Sequence, residues 1–352
     1  MVTIWYDDRT TTTMKIGILT QPLKSNYGGI LQNWALQQVL IKLGHEPITI
    51  DVLPRDLPFK EYIIANILSF VKLFIPNKVS SYHHLFMQRP KLFDTFIKDN
   101  IVTTSIYRRR KASIIHDYRI DALLVGSDQV WRPKYNIGCL DDMFLKFVEG
   151  ITCPKASYAA SFGVDTWEYS AKQTLRYKKL ISKFDRVSVR EQSGVKLCEV
   201  YFNVNAVQVL DPTLLLEKKD YIELIEQTPH VLDEPFLAAY VLNLSEEIEL
   251  KIKRLAKEQG LKPYIIQADS CATLSVEQWL SIFRDADYIV TDSFHGSVFS
   301  YIFGKKFEFI VNQTRGASRF QQIEELVNDN SFHLKKKQSL DFLKTLYGTA
   351  TD

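Results

Sequence analysis

The chain is poor in the patterns that announce the common cofactors. Its four cysteines, Cys139, Cys153, Cys198 and Cys271, are widely spaced and include no C-x-x-C pair. Neither a zinc or iron–sulfur ligand set nor a disulfide framework is expected, and a reducing cytoplasm is the expected compartment. No G-x-G-x-x-G turn and no Walker loop occurs, so a dinucleotide or ATP site has no support. Basic and acidic residues nearly balance, 44 against 41, and a net charge of +3 on 352 residues argues against a polyanion such as DNA as partner. Nothing reads as a secretory signal, and no apolar run reaches membrane-spanning length. Low-complexity tracts and short repeats are also missing, which excludes a repeat architecture.

What is present is the composition of a globular protein with a substantial core, 46% apolar and 24% charged, and a length that suits two domains. Residues 1–13 are unpatterned and are expected to form a disordered leader, with Met14 as the natural or alternative start. From there strands and helices alternate. KIGILT (15–20) reads as a buried strand, GGILQNWALQQVLIKLG (28–44) as a helix with Gly44 as its stop, and PITID (47–51) as a second strand. After a helical insertion at 57–100, DALLVGSD (121–128), KASYAAS (155–161), DRVSVRE (185–191) and AVQVLDPT (206–213) read as parallel strands that end in polar turns. An N-terminal Rossmann-like domain over 14–216 and a linker at 217–235 follow from this order. FLAAYVLN (236–243), KPYIIQA (262–268), DYIVTD (287–292) and KFEFIV (306–311) build a smaller C-terminal Rossmann-like domain over 236–334, and 335–352 form a basic, helical tail. The expected class is α/β, two Rossmann-like domains facing across a cleft.

The segment YIVTDSFHGSVFSYIFGKKFEFIV (288–311) reads as strand, helix, strand, with His295 and Gly296 on the first helical turn. A helix that starts at the carboxyl edge of a parallel sheet points its amides and the positive end of its dipole into the ligand crevice. Ser293 is the expected N-cap, and the amides of residues 295–297, Ser297 included, are expected to face an anion. Gly296 would let a phosphate or carboxylate approach, and His295 would donate to it or move a proton. The structural alternative is a histidine that satisfies a buried backbone group and a glycine that relieves packing.

Other strand ends carry similar turns. In SNYGGILQNWALQ (25–37), Gly28 and Gly29 open a helix, and Asn26, Tyr27, Gln32 and Asn33 suit a hydroxyl-rich ligand. VGSDQVWRPKYN (125–136) offers Asp128 to accept a sugar hydroxyl or its proton and Trp131 to stack on a sugar face. Arg190 in SVREQSG ends a strand, where a guanidinium grips a carboxylate or phosphate, or else pairs with Glu191 or Asp185. Asp211, before Pro212, sits in an extended turn that holds a ligand or a hinge.

NYGGILQNWALQ, DALLVGSDQVW, SYAASFG, VSVRE, VLDPTLLL and TDSFHGSVFSYIFG occur in the order and spacing of the polysaccharide pyruvyl transferases, which the chain resembles over about residues 14–312. The resemblance implies a GT-B-like fold and transfer of pyruvate from phosphoenolpyruvate to a sugar as a cyclic ketal. It implies Arg190 and His295 as the donor-binding pair. Family members often carry an arginine where Ser293 stands, so another cation is expected to complete the donor site, with Arg315, Arg319 and Lys305 as candidates. His295, Asp128 and Asp211 are the candidate acid and base groups. No metal and no cofactor beyond phosphoenolpyruvate as donor substrate is expected.

The acceptor implied is a sugar of a bacterial surface polysaccharide, as a lipid-linked oligosaccharide at the inner face of the cytoplasmic membrane. The apolar, lysine-dotted segment 59–79 and the basic run Arg108-Arg109-Arg110-Lys111 are candidate membrane contacts, with domain-capping helices the alternative for the first. A GT-B glycosyltransferase would use Asp269 or Asp292 to hold a nucleotide-sugar ribose. A non-catalytic carbohydrate-binding protein is the third reading.

Overall fold

Short strands that are apolar on both faces are buried only where helices cover both sides of a parallel sheet. The computed structural model describes residues 13–24, 26–52, 89–107, 109–267, 273–310 and 331–346, and two such sheets organise them. The first contains β1 (Lys15–Leu19), β2 (Glu46–Thr49), β3 (Ala122–Asp128), β4 (Lys155–Ala160), β5 (Arg186–Val189) and β6 (Ala206–Gln208), in the order β2-β1-β3-β4-β5-β6. The second contains β7 (Phe236–Val241), β8 (Lys262–Gln267), β9 (Tyr288–Thr291) and β10 (Lys306–Phe309), in the order β10-β9-β7-β8. All pairings are parallel. The molecule is therefore α/β with two Rossmann-like units, as the alternation in the sequence led one to expect.

Each order reverses once, between β1 and β3 in the first sheet and between β7 and β9 in the second. A crevice forms at the carboxyl ends of the strands that flank such a reversal. The helices that leave these points are α1 (Tyr27–Lys42), after β1, and a helix at Phe294–Ile302, after β9.

Aromatic packing joins the two units. Numbered in chain order, the helices involved are α1, α2 (Lys91–Asn100), α3 (Lys218–Leu224), α4 (Val276–Asp285) and α5 (Phe294–Ile302). Tyr27 of α1 stacks on Trp279 of α4 with centroids 5.0 Å apart and lies 4.8 Å from Phe93 of α2. Trp279 meets Phe299 of α5, Phe299 meets Tyr221 of α3, and Tyr221 meets Trp34 of α1. These rings share one hydrophobic core with the strands of both sheets, and each pair adds about 0.5–1.5 kcal/mol to its area burial.

The final helix, α6 (Phe332–Lys344), returns to the first sheet. Its Ser339 Oγ accepts from Leu210 N at 2.9 Å, Phe342 lies 6.2 Å from the Tyr158 ring, and Arg186 stacks over Phe342. Residues expected as a basic, helical tail are thus a packed helix, on which Lys336 is half-buried against Glu217 and Leu216 O and Lys337 is exposed. Among the described residues no helix is long and apolar enough to cross a membrane. The leader to residue 12, the insertion up to residue 88, Arg108, Asp269, Arg315 and Arg319 lie outside the described residues.

Candidate active site

The strands of the first sheet end in polar side chains that meet at one place. Ser127 and Asp128 end β3, Ser161 follows β4, Arg190 and Glu191 follow β5, and Asp211 follows β6. Asp211 is fully buried and caps the turn at Pro212–Leu214, its Oδ1 accepting from Thr213 N at 3.1 Å and Thr213 Oγ1 at 2.7 Å. Its Oδ2 accepts from Arg190 Nη1 at 3.1 Å and Ser127 Oγ at 3.3 Å. Arg190 also donates through Nε to Glu191 Oε1 and through Nη2 to Ser161 Oγ, each at 3.3 Å, and lies over the Phe294 ring at 4.5 Å. Ser161 Oγ in turn donates to Glu191 Oε1.

The second sheet brings His295 to the same carboxylate, with Nε2 3.6 Å from Asp211 Oδ2. That is an ion-pair separation rather than a hydrogen bond. Burial by itself would raise the Asp211 carboxyl, but His295, Arg190 and the Thr213 hydroxyl hold it well below the usual carboxylate range. A fixed anion beside one ring nitrogen orients the imidazole, as carboxylates do in catalytic histidine pairs. The other side of the ring rests on α1, where a Cβ on Gly28 would stand 2.0 Å from His295 Nδ1. Asn26, the N-cap of α1, makes no side-chain cap, so the side chain at that helix start leaves the first amides uncovered.

Glu191 Oε2, Ser193 Oγ, Asp292 Oδ2 and His295 Nε2 are buried without a hydrogen-bond partner in the described structure. They occupy two strand-to-helix turns, after β5 and after β9. Unsatisfied buried polar atoms are rare in folded proteins and cluster where a ligand or reaction needs them. Asp292 also ties the second switch point together, its Oδ1 accepting from Leu242 N at 2.7 Å.

Several expected residues take other work. Trp131 is fully buried, stacks on Phe144 and donates Nε1 to Met143 O at 3.0 Å, so it has no open face for a sugar. Tyr27 is part of the aromatic contact between units and donates its hydroxyl to Leu274 O at 3.0 Å. Gln32 and Asn33 are fully buried; Gln32 bonds Thr20, Gly29 O and Ser127 N, and Asn33 bonds Thr49. They tie α1 to the sheet and are not available as acceptor contacts. Gly29 packs against the Asn26 side chain.

The start of α5 differs in the same way. Ser293 Oγ accepts from Gly296 N, and Ser293 O accepts from Ser297 N and from Ser297 Oγ. Two of the amides expected to face an anion are therefore engaged within the helix. Gly296 is small because a Cβ would stand 2.3 Å from Thr291 Oγ1, which bonds Tyr240 O and Ser293 N. Lys305 precedes β10, at the amino edge of the second sheet, and so lies away from His295, which follows β9 at the carboxyl edge. Asp128 and Asn26 stay together at the first switch point, joined by Asn26 Nδ2 to Asp128 Oδ2 at 3.2 Å. Asp128 holds a left-handed backbone, with φ of 69°, a conformation that short acidic side chains tolerate.

Ser161 and Thr213 belong to the cluster without having stood out in the sequence, and Glu191 stood out only as an ion-pair partner. The available signal was positional: Ser161 is the first residue beyond β4, Glu191 the second beyond β5, and Thr213 lies two residues after Asp211 in the turn beyond β6. A cavity of about 400 Å³ opens beside the cluster, with Arg190, Asp211 and Phe294 on one side and Phe332, Lys335 and Gln338 of α6 on the other.

The sequence model of the family described as polysaccharide pyruvyl transferase matches residues 26–314. No curated protein matches. Solved structures similar to the chain include S. aureus MnaA with UDP, at 12% identity and a TM-score of 0.47, covering 92% of this chain and 91% of that one. The UDP-N-acetylglucosamine 2-epimerase from Rickettsia bellii is 9% identical, with a TM-score of 0.45, and the coverage is 95% and 97%. A glycosyltransferase from Rickettsia africae ESF-5 is 10% identical, with a TM-score of 0.44, and the coverage is 96% and 95%.

Proposed function

The chain belongs to the polysaccharide pyruvyl transferase family, and we propose that it moves the pyruvate unit of phosphoenolpyruvate onto two hydroxyls of a sugar as a cyclic ketal. The observation that carries this reading is the convergence of Arg190 and His295, from different sheets, on one oxygen of Asp211. A donor with a carboxylate and a phosphate on one small frame needs cationic or N–H groups from two directions, and these two residues approach from two.

In this reading the methylene carbon of phosphoenolpyruvate takes a proton, and cationic character develops at C2. One sugar hydroxyl adds there and loses its proton, the C2–O bond to phosphate breaks, and the second hydroxyl closes the ring. Of the two hydroxyl protons, one balances the new methyl group and the other leaves with phosphate. His295 serves as proton donor and phosphate contact. Asp211, anionic and held by Ser127, Thr213 and Arg190, is a positioning residue that keeps the imidazole oriented. Asp128, at the first switch point beside Asn26, is the carboxylate assigned to the sugar hydroxyl, with Gly28 and Gly29 at the acceptor side. The acceptor belongs to a surface polysaccharide or its lipid-linked precursor, and the reaction takes place in the cytoplasm at the inner membrane face.

Thermal unfolding with phosphoenolpyruvate, beside a panel of nucleotides and UDP-sugars, tests the donor. A hundredfold excess over Kd stabilises the native state by about 2.7 kcal/mol. Stabilisation by phosphoenolpyruvate that is lost in His295→Ala supports pyruvyl transfer, and acceptor-dependent release of inorganic phosphate completes the demonstration. Stabilisation by a nucleotide instead would overturn the reading in favour of a glycosyltransferase.

A further inference from the structure

Trp131 turns inward, so the loop after β3 lacks the sugar-stacking ring expected there. The same loop presents another ring, Tyr135. Arg132 is buried and donates through Nε and Nη2 to the two carboxylate oxygens of Glu168, each at 3.2 Å, and through Nη1 to Gln129 Oε1 at 3.1 Å. The guanidinium fixed in this way lies 4.9 Å from the centroid of the Tyr135 ring. Tyr135 is nevertheless 45% exposed, and Ile137 beside it 55%. A ring backed by an anchored cation is held before any ligand arrives, which lowers the entropy cost of binding one.

A cavity of about 330 Å³ opens at the same turn, lined by Pro133, Asn136 and Ile137 on either side of Tyr135 in the chain, and by Asp141, Gln173 and Tyr177. Gln173 and Tyr177 stand four positions apart on the helix Ala171–Ile181, so they share one of its faces. Asp141 accepts from Arg176 and from Tyr177 Oη, and it is the only charged group among the described residues that line the cavity. An anion gains nothing from such a lining. A carboxylate, an amide and a phenol suit hydroxyl groups, and Pro133 and Ile137 suit the C–H face of a sugar ring. The volume is at the small end of ligand sites.

This cavity is continuous with the acceptor side. Asn136, fully buried, donates Nδ2 to Gln129 O at 2.8 Å and to Arg132 O at 2.9 Å. Gln129 N in turn donates to Asp128 Oδ1 at 2.8 Å. One hydrogen-bonded loop therefore carries the carboxylate assigned to the reacting sugar, the exposed ring and the cavity wall.

From this juxtaposition, and resting on the pyruvyl-transfer reading, we propose that Tyr135 and the cavity form a second acceptor subsite, which takes an uncharged sugar neighbouring the one that receives pyruvate. Tyr135 stacks on that sugar, and Asp141 and Gln173 bond its hydroxyls. The acceptor is then an oligosaccharide or longer, and a single sugar is a poor substrate.

Partial acid hydrolysis of the surface polysaccharide of the cell that makes this protein also cleaves acid-labile ketals, and it supplies test acceptors sized from single sugars to short oligosaccharides. Phosphate release at saturating phosphoenolpyruvate gives KM and kcat for each. In Tyr135→Ala the KM for oligosaccharides should rise roughly tenfold, the scale of one lost ring contact, and in Ile137→Ala about threefold. Tyr135→Phe keeps the ring and should match the parent. Leu334→Ala, at an exposed position of α6, controls for loss of surface apolar area and should also match it. In Tyr135→Ala the KM for single sugars, the kcat, and the Kd for phosphoenolpyruvate by isothermal titration should stay within about twofold of the parent, a split that a general folding defect does not produce. Unchanged KM for oligosaccharides in Tyr135→Ala, or an equal rise for single sugars, overturns the subsite alone. So does a parent that binds phosphoenolpyruvate and uses none of the oligosaccharides. Failure of the parent to bind phosphoenolpyruvate overturns the functional reading and the subsite with it.

Discussion

The imidazole of His295 occupies the space in which a side chain on Gly28 would begin. A Cβ there would stand 2.0 Å from Nδ1 and 2.3 Å from Cγ of the ring. The ring is pinned on its other side by Asp211, so it cannot yield without leaving its ion-pair position. Gly28→Ala is therefore expected to displace His295 and lower turnover about a hundredfold, the scale that a shift of an ångström at a reacting group costs. Overpacking should reduce stability by about 1–3 kcal/mol. Gly29→Ala is the comparison, because its Cβ would meet only the exposed Asn26 side chain, at 3.1 Å. Phosphate release by the two variants should differ by more than tenfold, and equal rates would remove His295 from the mechanism.

Asp211 gives a dependence on pH whose sign is fixed by its surroundings. Its carboxyl is held below the ordinary value of 3.8 in the folded protein. The stabilisation it provides is complete above that pH and is lost as pH falls further, since the unfolded chain takes up the proton first. Denaturant melts should show stability that declines below about pH 4, and the decline should be shallower in Asp211→Asn. At neutral pH Asp211→Asn is expected to cost about 1.5–3 kcal/mol, because it weakens the charged hydrogen bond from Arg190 Nη1 while the Arg190–Glu191 pair remains.

The succession of parallel strands and both helices at the switch points were legible because each depends on local pattern, buried apolar runs followed by a serine or glycine, whereas the pairing of Arg190 with His295 came from the family resemblance. What remained hidden depends on which of two faces a side chain takes once the sheets pair. Trp131 follows a polar strand end and reads as a ligand contact, yet it turns inward to stack on Phe144. Tyr27, Gln32 and Asn33 lie within two helical turns of the exposed Asn26, and the packing of α1 between β1 and the second unit buries all three. Residues 335–352 read as a tail because of their run of lysines, and only the return of α6 to the first sheet, through Ser339 and Phe342, makes them part of the packed molecule.

Trp131 offers a direct check of that inward turn. Trp131→Ala should cost about 3–5 kcal/mol of stability, the range for emptying a large aromatic site. Trp131→Phe, which keeps the stack on Phe144 but loses the bond to Met143 O, should leave the KM for the sugar unchanged. A large rise in that KM would return Trp131 to the acceptor site.

The cysteines differ in how they should react. Burial pushes the Cys198 thiol up to about 12, so the reactive thiolate is scarce at neutral pH. Cys139 and Cys153 are only partly covered. Alkylation of the native protein followed by peptide mass spectrometry should leave Cys198 unmodified until denaturant is added, and labelling of Cys198 without unfolding would contradict its place in the core.

The contact between Tyr27 and Trp279 decides whether the two units unfold together. Tyr27 bonds Leu274 O and stacks on Trp279, and the ring chain continues through Phe299 and Tyr221 back to Trp34. Such a shared core couples the units, so calorimetry of the parent should show one transition with matching calorimetric and van't Hoff enthalpies. Tyr27→Phe removes one hydrogen bond and should cost about 1 kcal/mol. Trp279→Ala removes the central ring and should cost about 3–5 kcal/mol. Trp279→Phe is the more discriminating change: Trp279 Nε1 is buried without a partner, so phenylalanine loses area but also removes an unsatisfied donor. Its cost should be well below that of Trp279→Ala, since most of the ring volume remains and the unsatisfied donor is gone. Two separated transitions in Trp279→Ala, against one in Trp279→Phe, would locate the coupling in the ring stack; one transition in both would assign it to the wider core beneath α1.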